Sequence, residues 1–439
     1  MARKIRTRRG LPAVLLATAA AVACMGGEAA MRELPDCDPD DGGLALPEGF
    51  CALVVADEVG AARHITVDAT GDIYVALRGS RDGGGGGVVA LRDTDGDGRA
   101  DRRVAFGDAG GTGISLEAGH LYFAPDWGLL RYRLEGGSLE PAGPPDTMVA
   151  GLPGPGTSHA AKSAVVHQGW LYVNIGAPSN ACQDPQRTPG APGQDPCPQL
   201  ETRGGIWRFS ATETGQTEAD GTRLATGLRN TFALAVHPET GTLYGVQHGR
   251  DQLHSLWQDV FTEEESAEKP AEELVSIQEG DDFGWPYCWY DPASGQKMLA
   301  PEYGGDGSEV GRCSEKEPPL VAFPAHWAPM SIAFYTGDQF PESYRGGAFI
   351  AFHGSWNRAP LPQAGYNVVF LPFEDGEPMA PGGPARQPSW EVFADGFAGE
   401  QKDPRAADHR PTGLAVGPDG SLYVADDQGG RIWRIVYRG

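Results

Sequence analysis

A short pattern recurs along the chain: a glycine followed by an apolar, aromatic-rich run. The six copies are GDIYVALRG at Gly71, GHLYFAPDWG at Gly119, GWLYVNIGAP at Gly169, GTLYGVQHGR at Gly241, GGAFIAFHGS at Gly346 and GSLYVADDQG at Gly420. Each copy follows a second apolar run (ITVD, ISLE, AVVH, LAVH, IAFY, LAVG) across a turn rich in Gly, Asp or His, which is the signature of a hairpin. A third run follows every hairpin, from GGVVALRD in the first unit to GRIWRIVY in the last, and a fourth (RRVAFGD, TMVAGL, RLATGL, PLVAFP, WEVFADGF) follows the first five. Four-stranded units of this size do not bury a core singly, so they are expected to pack around a common axis. The fold class is therefore all-β, a six-bladed β-propeller. The sixth unit ends at Gly439 one strand short, and GFCALVVADEVG near the N-terminus is a spare strand of the right kind. Pairing it into the last blade closes the ring and removes the exposed edge.

The rest of the composition fits this expectation. Gly at 63 and Pro at 36 of 439 residues favour many tight turns. A formal net charge of −24 argues against nucleic acid and anionic lipid surfaces as partners and suits a small neutral substrate. The N-terminus reads as a targeting segment: basic MARKIRTRRG, apolar LPAVLLATAAAVA, then Cys24. AVAC resembles a bacterial lipobox, with Ala21 where Leu is usual, and TRRGL weakly resembles a twin-arginine signal. The expected organisation is a lipoprotein-type signal peptide over 1–24, a linker over 25–46 and the propeller over 47–439. The expected location is the periplasm or cell envelope of a bacterium, with membrane contact only through a lipid on Cys24. Six further cysteines in an exported chain suggest disulfides, and of fifteen connectivities the sequential one, Cys37–Cys51, Cys182–Cys197 and Cys288–Cys313, closes three short irregular stretches. No CxxC spacing or nearby His cluster supports metal binding by these thiols.

Polar residues stand just before the first strand of several blades, where a propeller opens its central channel. His159, Arg229, Asn230, His326, Arg410 and Arg63 are the candidates. Each taken singly is an ordinary turn residue. Together they make a ring of His and Arg suited to an anionic ligand beside a proton-transfer site. The longest insertions, around Cys182 to Cys197, His254 to Ala271 and Cys288 to Cys313, are expected to shape that site.

Here the sequence resembles a known family. GLRNTFALAVHPETGTLYGVQHG with EELVSIQEGDDFGWPYC is similar to the core of the soluble pyrroloquinoline quinone (PQQ) glucose dehydrogenases. HWAPMSIAFY, FIAFHGSWNRAPLPQAGYNVVFLPF and RPTGLAVGPDGSLYVADDQGGRIWRI resemble the sorbosone dehydrogenase branch. The resemblance spans about residues 47 to 439. It implies His159 as the base that takes a proton from the substrate hydroxyl, and Arg229 with Asn230 beside the quinone. It implies the carbonyls of Gly249 and Arg250 as Ca²⁺ ligands, and Asn357, Arg358 and Arg410 as holders of the cofactor carboxylates. Three positions depart from the soluble glucose enzymes. QHGR replaces Glu-His-Gly-Pro, Asn357 and Arg358 stand where a Lys is usual, and Ser158 stands where an aspartate orients the base.

DTDGDGRAD is a separate signal. Asp93, Asp95, Asp97 and Asp101, with Gly98 at the bend, have the spacing of an EF-hand-like Ca²⁺ loop, although Val104 occupies the position of the bidentate Glu. The function expected is an exported PQQ-dependent oxidoreductase that oxidises a sugar, sugar aldehyde or related alcohol and passes electrons to an acceptor. A Ca²⁺-dependent lactone hydrolase would need carboxylates or Asn converging on one metal, where these blade starts supply Arg and His. A non-catalytic ligand-binding propeller lipoprotein is the remaining alternative, kept open by Ser158 and QHGR.

Overall fold

The computed structural model describes residues 34–79, 85–154, 156–379 and 390–439. The signal and lipobox readings fall outside the described residues. Among the described residues six sheets form the blades, each built on a four-stranded antiparallel meander; the sheets of blades 2 and 3 add a short parallel fifth strand, Gln216–Thr217 and Asp281–Asp282, and two further two-stranded sheets lie outside the blades. Blade 1 runs through Ala62–Val67, Ile73–Leu77, Gly87–Arg92 and Arg102–Phe106. Blades 2 to 5 repeat the plan, starting at Gly111–Glu117, Ala164–His167, Ala233–Val236 and Pro329–Phe334. Blade 6 comprises Pro411–Val416, Leu422–Asp426 and Ile432–Tyr437, and Phe50–Ala56 supplies its fourth strand. The register of that pairing starts at Phe50 opposite Tyr437 and reaches Val54 opposite Trp433. The first strands of successive blades touch one another in a closed circuit, blade 6 meeting blade 1. Both the blade count and the closing strand match the reading of the repeats.

The apolar runs have a simple cause. A second strand is covered on both faces by neighbouring blades, so Ile73–Leu77, Ala348–Phe352 and Leu422–Asp426 are buried at every residue. The fourth strand lies at the rim, and Arg102–Phe106 carries exposed arginines there. Between blades 5 and 6 the closing strand inserts Phe50 among Phe340, Tyr344 and Phe393, with ring centroids 4.8, 5.4 and 5.0 Å away. Residues 34–46, expected as linker, pack on this blade. Trp433 is fully buried and donates Nε1–H to the Gly42 carbonyl at 3.0 Å, and Ala45 bridges Asp395. Gly42 has φ +62°, and a Cβ there would come within 2.9 Å of the Trp433 ring, so only glycine fits.

The three sequential disulfides form as expected. Cys182–Cys197 ties the blade-3 insertion, and Cys288–Cys313 ties one from blade 4 that contains the hairpin Cys288–Asp291 and Gln296–Leu299. The two insertions lock together: Arg312 pairs with Asp195 at 2.6 Å, and Gly193 N–H donates to the Glu302 carbonyl at 2.9 Å.

Truncating Trp433 to Ala removes a buried ring from the closure and should destabilise the protein by about 3–5 kcal/mol. The urea midpoint should fall with little change in slope. A midpoint equal to wild type would show that the seam does not depend on this ring.

Candidate functional site

Every first strand starts at the same end of the ring. Segments entering those strands (62–64, 157–163, 229–232, 326–328, 409–410) therefore meet turns leaving the second strands (126–128, 176–204, 248–271, 353–366, 427–431). The channel mouth is built from these two sets.

One half of the mouth is organised by Asp251. Its Oδ2 accepts from Arg229 at 2.9 Å and from Arg187 at 2.9 Å, and its Oδ1 accepts from Asn357 Nδ2 at 3.1 Å. Asn180 braces the same turn by accepting from Asp251 N–H at 2.9 Å and from Arg229 Nη2 at 3.1 Å. The two guanidiniums hold the Asp251 carboxyl well below its ordinary range, against the opposing effect of burial. Arg229 also donates Nη1–H to the Gly249 carbonyl at 2.9 Å, while its Nε is buried without a partner. Gly249 N–H donates to Glu272 at 2.8 Å, and the other Glu272 oxygen accepts from Ala328 N–H at 3.1 Å, tying the blade-4 turn to the start of blade 5. Behind Gly249 a small cavity of about 20 Å³ is lined by Trp285, Trp289 and the buried Lys297–Glu273 pair, whose separation is 2.5 Å.

The other half centres on Asp427. It pairs with His353 at 2.7 Å and with Arg63 at 3.4 Å. Arg410 donates to the carbonyls of His353 and Gly354, both at 3.0 Å. Phe232 links the halves: the Arg63 guanidinium lies 5.5 Å from its centroid, and His248 stacks on it at 5.9 Å. Arg63, Arg229, Asn230, His159, His326 and Arg410 thus share one mouth, as their blade-start positions predict.

His159 adopts φ +55° in its turn. Its Nδ1 lies 2.6 Å from the Ala177 carbonyl. A carbonyl only accepts, so Nδ1 carries the proton and Nε2 carries the lone pair. The Ala177 carbonyl therefore does the orienting that an aspartate at position 158 would do. Burial, with the positive Arg229 as the next cause, pushes the imidazole down to about 3. Asn230 is buried and accepts from Asn174 Nδ2 at 3.0 Å, and a Cβ on Gly176 would strike both His159 and the Asn230 oxygen. His326 Nε2 is engaged by the Ser266 carbonyl at 2.8 Å.

The remaining candidates are placed as follows. Arg358 is held by carbonyls, where its neighbour Asn357 is held by Asp251: its Nη1 donates to the carbonyls of Ala267 and Ala325 at 2.9 and 3.0 Å, and its Nε to that of Pro362 at 3.3 Å. It clasps the blade-5 turn to the blade-4 insertion. The Arg250 side chain forms a buried ion pair with Glu302; the group implied as a Ca²⁺ ligand is its carbonyl. In the acidic turn, Asp93, Asp95 and Asp97 bring oxygens within 4.8 Å of one another, but Asp101 instead accepts from Thr94 N–H at 3.2 Å and Oγ1–H at 2.5 Å. Asp251, Asp427, His353 and Asn180 were not singled out from the sequence. All lie in second-strand turns, and the charged residue directly after QHGR was the available signal for Asp251.

The fold and the site define a closed six-bladed β-propeller whose channel mouth is lined by arginine and histidine. The chain is a member of the TrAA12-like family, whose model matches residues 44–438. A PQQ-dependent pyranose dehydrogenase from Coprinopsis cinerea is 25% identical over 244 residues, 48% of this chain and 31% of that protein. An uncharacterised Borreliella burgdorferi protein is 29% identical over 215 residues, 49% of this chain and 48% of that one. These matches span about half or less of those relatives' own lengths. Among solved structures, the holo PQQ domain of the Coprinopsis cinerea pyranose dehydrogenase aligns with a TM-score of 0.71, at 19% identity, over 90% of this chain and 97% of that one. The calcium structure of the Trichoderma reesei family AA12 protein gives the same TM-score and identity over 90% and 97%. The fold resemblance to PQQ-dependent sugar dehydrogenases expected from the sequence is thereby shown.

The His159 geometry makes a direct prediction. The imidazole should remain neutral well below the ordinary value of 6.5, and ¹⁵N NMR of the apoprotein should find Nε2 unprotonated at pH 5. A folded-state value below the unfolded one means that the unfolded imidazole takes up a proton first, so this group lowers stability as pH falls below about 6.5. Titration of His159 near 6.5 would contradict the arrangement.

Proposed function

We propose that the chain is an exported oxidoreductase that oxidises a sugar, sugar aldehyde or related alcohol with PQQ. The observation that carries the reading is a pair of cationic donors, Arg63 Nε and Arg229 Nε, buried at the mouth without acceptors. An unmet buried N–H costs roughly 1–3 kcal/mol, and an anionic ligand relieves it. Arg63, Arg229 and Arg410 would hold such a ligand, and Asn357 Oδ1, also buried and unpartnered, stands beside them. The quinone, when bound, supplies a two-electron acceptor.

His159 Nε2 takes the proton of the substrate hydroxyl, and the carbonyl of Ala177 keeps the ring turned for it. Arg229 holds an oxygen that gains negative charge, from a position fixed by Asp251 and Asn180. For Ca²⁺, the Gly249 carbonyl keeps one lone pair beyond its bond from Arg229, the Arg250 carbonyl is its neighbour, and Asn357 Oδ1 adds a hard oxygen donor. The turn of Asp93, Asp95 and Asp97 is the second proposed Ca²⁺ position, one that would order a loop at the opposite end of blade 1. Export is supported by the three disulfides, which oxidising compartments allow.

Two variants test the assignment. His159→Ala should bind PQQ almost as wild type and turn over roughly 10²–10⁴-fold more slowly with an artificial acceptor. Arg229→Ala should weaken both PQQ binding and turnover, because the anionic ligand loses a charged donor. Wild-type turnover by His159→Ala at saturating PQQ would remove His159 as the base.

A further inference from the structure

Trp356 is the most exposed of the large apolar side chains among the described residues, at 55%. Exposure of one indole on a loose loop carries no information, but this loop is held at both sides. Ser355 is fully buried, its N–H donates to the Ala364 carbonyl at 2.9 Å, its Oγ donates to Gln363 at 2.7 Å, and its carbonyl accepts from Tyr366 OH at 2.7 Å. On the other side Asn357 donates to Asp251 at 3.1 Å, and Arg358 clasps Ala267 and Ala325. The backbone therefore presents the ring outward at a fixed place, one residue from the Asp251–Arg229 pair. Trp170 makes the contrast: it is 41% exposed at the far end of blade 3, and the Arg208 guanidinium covers its ring at 4.9 Å. Among the described residues no cation or ring covers Trp356.

We infer that Trp356 is a substrate-binding residue, a stacking platform for the apolar face of a pyranose ring at the channel mouth. This rests on the sugar-oxidising reading and narrows it to the ring form. A pyranose has hydroxyls around its rim and a patch of C–H bonds on one face, and those hydrogens meet the negative face of an indole. Hydroxyl recognition at the mouth and stacking beside it then address different parts of one molecule, which is how a small number of polar groups and an aromatic wall fix orientation. Because the ring is held in place before the sugar arrives, little ordering is needed on binding. An acyclic hydroxyaldehyde offers no such face and gains nothing from Trp356.

The test uses the PQQ- and Ca²⁺-loaded protein and three variants, Trp356→Ala, Trp356→Phe and Trp170→Ala. With aldopyranoses, Trp356→Ala should raise KM about tenfold with kcat little changed, the size expected for losing one aromatic contact. Trp356→Phe should recover most of the loss, Trp170→Ala should match wild type, and KM for glyceraldehyde should be the same in all four. A second readout needs no turnover: methyl glycopyranosides titrated into the apoprotein should shift its tryptophan emission, and Trp356→Ala should abolish the shift. Wild-type KM and wild-type glycoside binding in Trp356→Ala overturn the inference. If the protein oxidises no sugar yet binds methyl glycopyranosides through Trp356, the dehydrogenase reading fails and this one stands.

Discussion

Ring closure is the constraint on which the rest of this structure depends. A propeller with an unpaired last blade leaves one strand edge open, and its first and last blades are free to part. Here Phe50–Ala56 fills the last position of blade 6 by pairing with Ile432–Tyr437. The pairing carries side chains with it: Phe50 enters the aromatic cluster between blades 5 and 6, and Trp433 is capped by the segment around Gly42. With the circuit closed, the starts of six first strands are fixed around one axis. The channel mouth is a consequence of that geometry, because its residues come from blades far apart in sequence.

Within the mouth, Asp251 and Asp427 do comparable work on opposite sides. Each is a largely buried carboxylate shared among donors, Arg229 and Arg187 for Asp251, and Arg63 with the His353 imidazole, whose pKa burial lowers, for Asp427. Such pairs contribute little net stability, because desolvation offsets the attraction, and they fix position more than they stabilise. That is what the site requires: Arg229 is held by Asp251, Asn180 and the Gly249 carbonyl in a single orientation. His159 is held differently, by a backbone carbonyl that settles its tautomer without adding a charge. The insertions from blades 3 and 4, each stapled by a disulfide and joined by the Arg312–Asp195 pair, wall this half of the mouth.

The fold was legible because its signal is repeated: six hairpins, and a missing last strand that only the N-terminus could replace. The disulfides were legible because each pair brackets one loop. The site was half legible. Blade-start residues could be placed at the channel from the repeat alone, and His159, Arg229, Asn230, Arg410 and Arg63 are there. Residues in the second-strand turns, Asp251, His353 and Asp427, were missed because a lone acid or His in a turn looks like a solvated turn residue until its partner arrives from another blade. Arg358 shows the converse. The resemblance implied one role for Asn357 and Arg358, and the backbone sends Asn357 to Asp251 and Arg358 to the carbonyls of Ala267 and Ala325. Asp101 likewise kept the right spacing but turned to Thr94.

We propose that this mouth binds an anionic quinone and uses it to oxidise a sugar. The most direct measurement is a spectroscopic titration of the purified apoprotein with PQQ and Ca²⁺, followed by anaerobic addition of an aldose without any electron acceptor. Saturable binding of one PQQ per chain is expected, with conversion of its absorption spectrum to that of the reduced cofactor on sugar addition. Absence of saturable PQQ binding, or bound PQQ whose spectrum no sugar, sugar aldehyde or alcohol alters, would contradict it.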